Sequence, residues 1–211
     1  MILLVDLCYR PHSLGEDEFV CPIKDIIERC GYPSKICHFT EWDTISMDGV
    51  DAVILCGAPL RDKLFVQMTE CFTWIPTSPV PILGICAGMQ ALVLAYGGSL
   101  KQDTQQNTEQ NPDKRPKIGM TAIRCTQTGD PIFREKQWTG YQLYRFSTIP
   151  GNNFIALAES DTGVQAIRHR NRPVYGVMFH PEVRNAWVVE RFLSLHVRHD
   201  APCSSDDLSS E

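Results

Sequence analysis

Long hydrophobic runs are missing from this sequence of 211 residues. The longest such stretch, around residues 79–86, is far shorter than the roughly 20 apolar residues that a transmembrane helix needs. The first six residues, MILLVD, carry no basic leader and are too short for a signal peptide. These absences predict a cytoplasmic protein with no membrane partner.

Basic residues are outnumbered by acidic ones: the sequence has 20 Lys and Arg against 25 Asp and Glu, which gives a net charge of -5. No basic stripe is present, so we expect no nucleic-acid partner. The nine cysteines are odd in number and form no C-x-x-C pair, which predicts neither a disulfide framework nor a metal site. A P-loop is absent as well, so we expect no nucleotide on this chain and no cofactor.

The sequence does contain apolar runs that alternate with helical patterns. Continuous apolar runs predict strands covered on both faces, and their alternation with helices predicts an α/β fold with a doubly wound, mostly parallel sheet. The predicted strands span 2–5, 34–39, 51–59, 81–85 and 174–179, with shorter ones at 118–125, 142–146, 155–158 and 164–169. The predicted helices span 22–30, 64–75, 87–96 and 187–197. In such sheets the reactive groups gather at the carboxyl ends of the strands.

Two segments lack these patterns. Residues 101–117 are rich in Gln, Asn and Asp, and we interpret them as a loop or flap. The carboxyl-terminal segment 199–211 is polar and is predicted to be disordered. The sequence therefore predicts one domain, residues 1–198, followed by a tail.

The stretch PILGICAGMQ places Cys86 between Gly84 and Gly88, directly after a predicted strand and before a predicted helix. This G-x-nucleophile-x-G pattern is typical of a strained strand-to-helix turn that lifts the nucleophile clear of the sheet. The start of the helix favours a thiolate, and the N–H of Ala87 can face a developing oxyanion. A buried structural cysteine in a tight turn is the alternative.

FHPEV supplies the groups that a catalytic thiolate needs. His180 follows a predicted strand, and Glu182 stands two residues later, on the same side of an extended chain. His180 is the candidate base and Glu182 the group that orients it. The turn Gly57-Ala58-Pro59, after another strand, could add backbone N–H groups of Gly57 and Ala58 to the oxyanion hole. An ordinary turn and a surface histidine remain the alternatives.

Together these motifs resemble those of the class I (triad) glutamine amidotransferases, whose fold is flavodoxin-like. The resemblance rests on PILGICAGMQ, FHPEV, the GAP turn and the YGG that follows the helix. It implies that Cys86, His180 and Glu182 form a triad that hydrolyses glutamine to glutamate and ammonia through a cysteine thioester. It also implies that Gln90 holds the substrate glutamine, and that Tyr141 and Gln142 line the substrate rim.

The family usually passes its ammonia to a synthetase, so the resemblance implies that the partner is a separate ATP-dependent synthetase subunit. DPIF and YGVMFHPEV look most like the glutaminase part of GMP synthase. AIRHRNRPVYGV suits the anthranilate or aminodeoxychorismate synthase type equally well.

Several positions depart from the family pattern. Ala58 stands where glycine is common and would be strained if that position needed a positive φ. Tyr141-Gln142 replaces Ser-His or Tyr-His, and Met178 replaces a common glutamine. The altered rim motivates a stand-alone γ-glutamyl hydrolase as an alternative, and Ala58 motivates a non-catalytic binding or regulatory module.

Overall fold

The computed structural model describes residues 1–44, 46–102 and 116–197. Its strands are β1 (Ile2–Asp6), β2 (Ser34–His38), β3 (Ala52–Leu55), β4 (Ile82–Ile85), β5 (Ser99–Gln102), β6 (Lys117–Cys125), β7 (Gln137–Tyr144), β8 (Phe146–Ile149), β9 (Phe154–Ser160), β10 (Gly163–His169) and β11 (Val174–Val177). Its α-helices are α1 (Leu14–Phe19), α2 (Cys21–Arg29), α3 (Leu64–Gln67), α4 (Ala87–Ala95), α5 (Pro181–Arg184) and α6 (Trp187–His196).

Nine of these strands form one sheet in the order β2-β1-β3-β4-β11-β10-β9-β6-β7. The five strands from β2 to β11 are parallel, and the other four continue the sheet as an antiparallel wing. β5 and β8 pair in a small separate sheet. The parallel part has the strand order of flavodoxin-like folds, 2-1-3-4-5. The predicted α/β fold is therefore confirmed, with an antiparallel wing added.

The parallel strands form because their sequences are apolar throughout. Every residue of β1, β3, β4 and β11 is buried, which requires cover on both faces of the sheet. α4 supplies much of that cover, since seven successive residues from Ala87 to Val93 are buried. α2 shows the opposite pattern, with Ile23, Ile26 and Ile27 on one buried stripe. The carboxyl ends of these strands, where the sequence predicts the reactive groups, are therefore held by a rigid, fully packed core.

The helix predicted over 64–75 is wrong. The structure contains the short helix α3 and two 3-10 helices, Thr69–Phe72 and Ile75–Thr77. Met68 leaves the helical region with φ -111° and ψ 53°, which ends α3. Phe65 and Phe72 are both buried, so packing against the core is kept although the helix is broken.

The strand predicted over 142–146 is also wrong in its bounds. β7 begins five residues earlier and ends at Tyr144, and Phe146 starts β8 in the second sheet. The sequence analysis missed α1 and β5 as well; β5 reaches into the predicted loop 101–117. The rest of that loop up to residue 115 and the predicted tail 199–211 lie outside the described residues.

Candidate active site

Cys86 occupies a strained turn between β4 and α4. Its backbone has φ 50° and ψ -103°, and among the described non-glycine residues only His12 shares a positive φ. A Cβ on Gly84 would lie 2.6 Å from the backbone of Gly88, and one on Gly88 would lie 2.1 Å from the carbonyl oxygen of Leu55. Both glycines are thus required by close backbone approach. The predicted nucleophile turn is present in its geometry.

Cys86 lines a pocket and is 3% exposed. Its Sγ is 3.5 Å from the carbonyl oxygen of Leu143 on β7, to which the thiol donates. Its backbone is fixed on both sides, because its N–H donates to Val177 at 2.7 Å and its carbonyl accepts from Gln90 at 3.0 Å. The thiol therefore has a defined position and faces β7.

His180 and Glu182 form a buried pair just beyond β11. Nδ1 of His180 donates to Oε1 of Glu182 at 2.6 Å, and the side chains are 1% and 4% exposed. The backbone N–H of His180 donates to the carbonyl of Tyr141 at 2.8 Å. Nε2 of His180 is buried and has no hydrogen-bond partner among the described residues. The pair thus leaves Nε2 available to a reacting group, as a general base requires.

The electrostatic environment favours a charged His180. Burial alone lowers its pKa, but the neighbouring Cys86 and Glu182 together outweigh burial and raise the pKa well above its ordinary value of 6.5. Cys86 and His180 are therefore electrostatically coupled in the folded protein. The structure brings the three residues of the predicted triad together at the carboxyl ends of β4 and β11.

Because of His180, the free energy of unfolding should fall as the pH rises. A raised pKa in the folded state gives stabilisation that is fully present below the ordinary pKa of 6.5 and is lost as pH rises through the folded pKa. In urea unfolding from about pH 6 to about pH 9, the free energy of unfolding of the wild type should fall by up to ~1.4 kcal/mol per pH unit more than that of His180→Gln. Parallel pH profiles for the two proteins would contradict the expectation.

Gly57, Ala58 and Ala87 lie around the same pocket as Cys86. Ala58 and Ala87 line it directly, and a Cβ on Gly57 would lie 3.0 Å from Cε1 of His180. Among the described residues, the backbone N–H groups of these three residues donate no turn or loop hydrogen bond. They are therefore available to an oxyanion. Ala58 does not have a positive φ, so the strain considered for this position is absent.

The predicted substrate-contact residues separate into two groups. Gln90 lines the pocket, and its Nε2 donates to the carbonyl of Phe146 at 2.7 Å. The rings of Tyr141 and His180 meet edge to face, with their centroids 6.3 Å apart. Gln142 is different: its side chain is 4% exposed, does not line the pocket and donates to the hydroxyl of Thr162 at 2.9 Å. Contact between Gln142 and substrate stays a prediction.

Sequence reasoning also missed several groups at the site. Leu143 contributes its backbone carbonyl to the site. Every residue has this group, so the residue type could not predict the contact. Phe19 packs its ring against His180 at 5.5 Å between centroids. Asp62 and Lys63 line the pocket just after the Gly57 turn, and their position could have been inferred from that proximity in sequence.

Comparison with known proteins shows the family of this chain. The family model described as glutamine amidotransferase class-I matches residues 16–194. The chain belongs to the class-I glutamine amidotransferases. This chain is similar to a glutamine-hydrolyzing GMP synthase subunit of Methanosarcina barkeri. The two are 29% identical over 167 residues, which cover 75% of this chain and 78% of the relative. The corresponding subunit of Methanocaldococcus jannaschii is 30% identical over 173 residues, with 79% and 84% covered.

Solved structures support the amidotransferase fold. A Thermoplasma acidophilum protein described as a GMP synthase subunit superposes with a TM-score of 0.75 at 23% identity, covering 92% of each chain. A glutamine amidotransferase of Thermotoga maritima gives a TM-score of 0.63 at 16% identity, covering 92% of this chain and 80% of that one. Within the described part of this amidotransferase, no helix combines the length and hydropathy of a membrane span.

Proposed function

We propose that this amidotransferase is the glutamine-hydrolysing subunit of a GMP synthase, and that Cys86, His180 and Glu182 are its catalytic triad. The observation that carries the proposal is the buried His180–Glu182 pair, joined at 2.6 Å, which is electrostatically coupled to a cysteine on a strained turn. Acyl transfer needs a nucleophile, a base and an orienting group together, and these three residues supply one of each.

The first half of the reaction forms a thioester. The Cys86 thiolate attacks the side-chain carboxamide carbon of glutamine, and the N–H groups of Gly57, Ala58 and Ala87 stabilise the oxyanion. His180 holds a proton at Nε2 and gives it to the leaving nitrogen, so the C–N bond breaks and ammonia departs. Glu182 keeps Nδ1 of His180 protonated and the ring in place.

The second half releases glutamate. His180, now neutral at Nε2, takes a proton from water, and the resulting hydroxide attacks the thioester carbon. The C–S bond breaks and the Cys86 thiolate and its imidazolium partner are restored. One glutamine and one water thus give one glutamate and one ammonia. Gln90 lines the pocket in which the substrate would lie.

The names of the relatives favour an ammonia acceptor on a separate chain. The Methanosarcina and Methanocaldococcus relatives, each named as one subunit of the synthase, match over 78% and 84% of their length. The undivided GMP synthase of Spiroplasma kunkelii matches over only 30% of its length, at 26% identity. These names also favour the GMP synthase type over the anthranilate or aminodeoxychorismate type. We take residues 1–198 as the amidotransferase domain, and its partner as an ATP-dependent synthetase.

Neither alternative from the sequence gains support from the site. The non-catalytic module was motivated by strain at Ala58, and Ala58 has no positive φ. The γ-glutamyl hydrolase was motivated by the changed rim at Tyr141-Gln142, but the Gln142 side chain does not line the pocket.

Substrate preference tests the proposed function. We expect the purified chain, mixed with the synthetase subunit from its own organism, to release glutamate from glutamine with a kcat/KM about 10- to 100-fold above that for γ-glutamyl dipeptides. The pocket beside Cys86 is small, and a dipeptide leaving group must fit where ammonia leaves. Equal or faster turnover of the dipeptides would instead establish the γ-glutamyl hydrolase.

A further inference from the structure

A cluster of polar side chains packs against β7 beside the pocket, and one of its members, Tyr144, also lines the pocket. We call it the amide–hydroxyl cluster. Its members are Gln142, Tyr144, Ser160, Thr162 and Gln165. The hydroxyl of Thr162 is its centre, since it lies 2.9 Å from Nε2 of Gln142, 2.7 Å from the hydroxyl of Tyr144 and 2.8 Å from that of Ser160. Nothing in the proposed reaction uses these groups.

The strand in front of this cluster is tied to both reacting residues. The carbonyl of Tyr141 accepts from the backbone N–H of His180 at 2.8 Å, and the carbonyl of Leu143 accepts from the Cys86 thiol at 3.5 Å. Gln142 stands between these two residues, and its side chain points to the opposite face of the strand. The position of Gln142 therefore sets the position of both carbonyls.

Sheet pairing supports β7 along one side only. It is the last strand of the nine-stranded sheet and is paired along its length only with β6 among the described strands. Its other side carries a single isolated bridge, between Gln142 and Phe179. An edge strand held on one side is free to shift unless side chains anchor it. The buried amide of Gln142 provides such an anchor.

The cluster also reaches the strand that carries the histidine. Nε2 of Gln165 donates to the Tyr144 hydroxyl at 3.1 Å, and its backbone carbonyl accepts from Met178 at 2.9 Å. Met178 precedes His180 by two residues. These hydrogen bonds thus connect β7 to the segment that follows β11. His180 lies in that segment.

We propose that Gln142 is a positioning residue, which acts through the Thr162 hydroxyl to hold the backbone carbonyls of Tyr141 and Leu143 against His180 and Cys86. This inference rests on the proposed function and goes beyond it. The Gln142 side chain does not line the pocket, so its loss should leave substrate affinity unchanged. Small displacements of reacting groups cost rate, on the order of 100-fold for about 1 Å.

The test compares substitutions at the two ends of the central hydrogen bond. Gln142→Leu and Thr162→Val should each lower kcat for glutamine about 10- to 100-fold and change KM by less than about threefold. Thr162→Ser keeps the hydroxyl and should restore kcat to within about threefold of wild type. The double variant should lose little more than Thr162→Val alone, because that variant already removes the contact between Gln142 and Thr162.

The matched control is Thr139→Val, an exposed threonine on the same strand outside the cluster. It should leave kcat and KM unchanged. Thermal unfolding of every variant verifies that the proteins are folded. The inference is overturned if Gln142→Leu and Thr162→Val, both folded, match Thr139→Val. A rise in KM with kcat unchanged would instead make Gln142 a substrate contact.

A second readout does not depend on glutamine. The rate at which iodoacetamide alkylates Cys86, followed by peptide mass spectrometry from about pH 6 to about pH 9, reports the coupling of Cys86 to His180. The two variants should shift this profile, and Thr162→Ser and Thr139→Val should not. If the wild type hydrolyses no glutamine with its synthetase present, the proposed function fails, and the alkylation profiles alone decide the role of Gln142.

Discussion

Replacing Cys86 by alanine should reduce glutamine hydrolysis by at least ~1,000-fold while leaving the protein folded. The thiol is the only nucleophile that the structure places beside His180 in the described part of the pocket, and without it no thioester can form. Alanine fits the site, because it keeps the Cβ and removes only Sγ, whose hydrogen bond to Leu143 is long. Glutamate release, measured with the synthetase partner present, gives the rate.

The matched control for this experiment is Cys71→Ser. Cys71 is partly buried and lies outside the pocket of Cys86, so its loss should change the rate by less than about twofold. A diazoketone that mimics glutamine should label Cys86 and leave Cys71 unlabelled in the wild type. Undiminished hydrolysis by Cys86→Ala would falsify the assignment of the nucleophile. Labelling of a different residue would then identify that residue as the nucleophile.

Replacing Gly88 by alanine should have the largest effect on stability. A Cβ here would lie 2.1 Å from the carbonyl oxygen of Leu55 and 2.8 Å from its Cβ. The obstacle is the backbone of β3, a buried strand in the middle of the parallel sheet, so neither partner can move without unpacking α4. We expect the free energy of unfolding to fall by about 3 kcal/mol or more.

Urea unfolding at constant pH measures this loss, and Gly129→Ala is the control. Gly129 has a φ of 87°, but a Cβ there would meet nothing within 4 Å. That variant has backbone strain without a clash and should lose only about 1–2 kcal/mol. Equal losses for the two variants would show that α4 can move away from β3, and that the close approach at the Cys86 turn is not rigid.

The same contact explains why the nucleophile turn could be inferred from five residues. The spacing of Gly84 and Gly88 around Cys86 reflects how closely α4 crosses β3 and β4, and glycine is the residue type that permits it. HPEV is also local in sequence, but the extended backbone expected across it is wrong: His180 is extended and caps α5, and Glu182 meets it from the first turn of that helix. Local geometry encodes these features, so the sequence predicts them.

The misplaced elements have a different origin. The apolar residues in the helical pattern over 64–75 do belong to the core, since Phe65, Phe72 and Ile75 are all buried. The chain buries them through three short helical segments, because packing against the core, including α4, outweighs helix propensity. The extra length of β7 depends on pairing with β6, which no property of residues 137–141 alone specifies.

Gln142 shows the limit most clearly. Sequence alone assigned it to the substrate rim beside Tyr141, but neighbouring residues of a strand point to opposite faces, and the strand's pairing decides which face meets the pocket. The sequence by itself determined the parallel core, the turn at Cys86 and the His180–Glu182 pair, because each depends on residues close in the chain or on uniform burial. Only the tertiary structure decided the antiparallel wing, the carbonyl of Leu143 at the thiol and the anchoring of β7, because those depend on contacts between distant segments through backbone atoms that every residue shares.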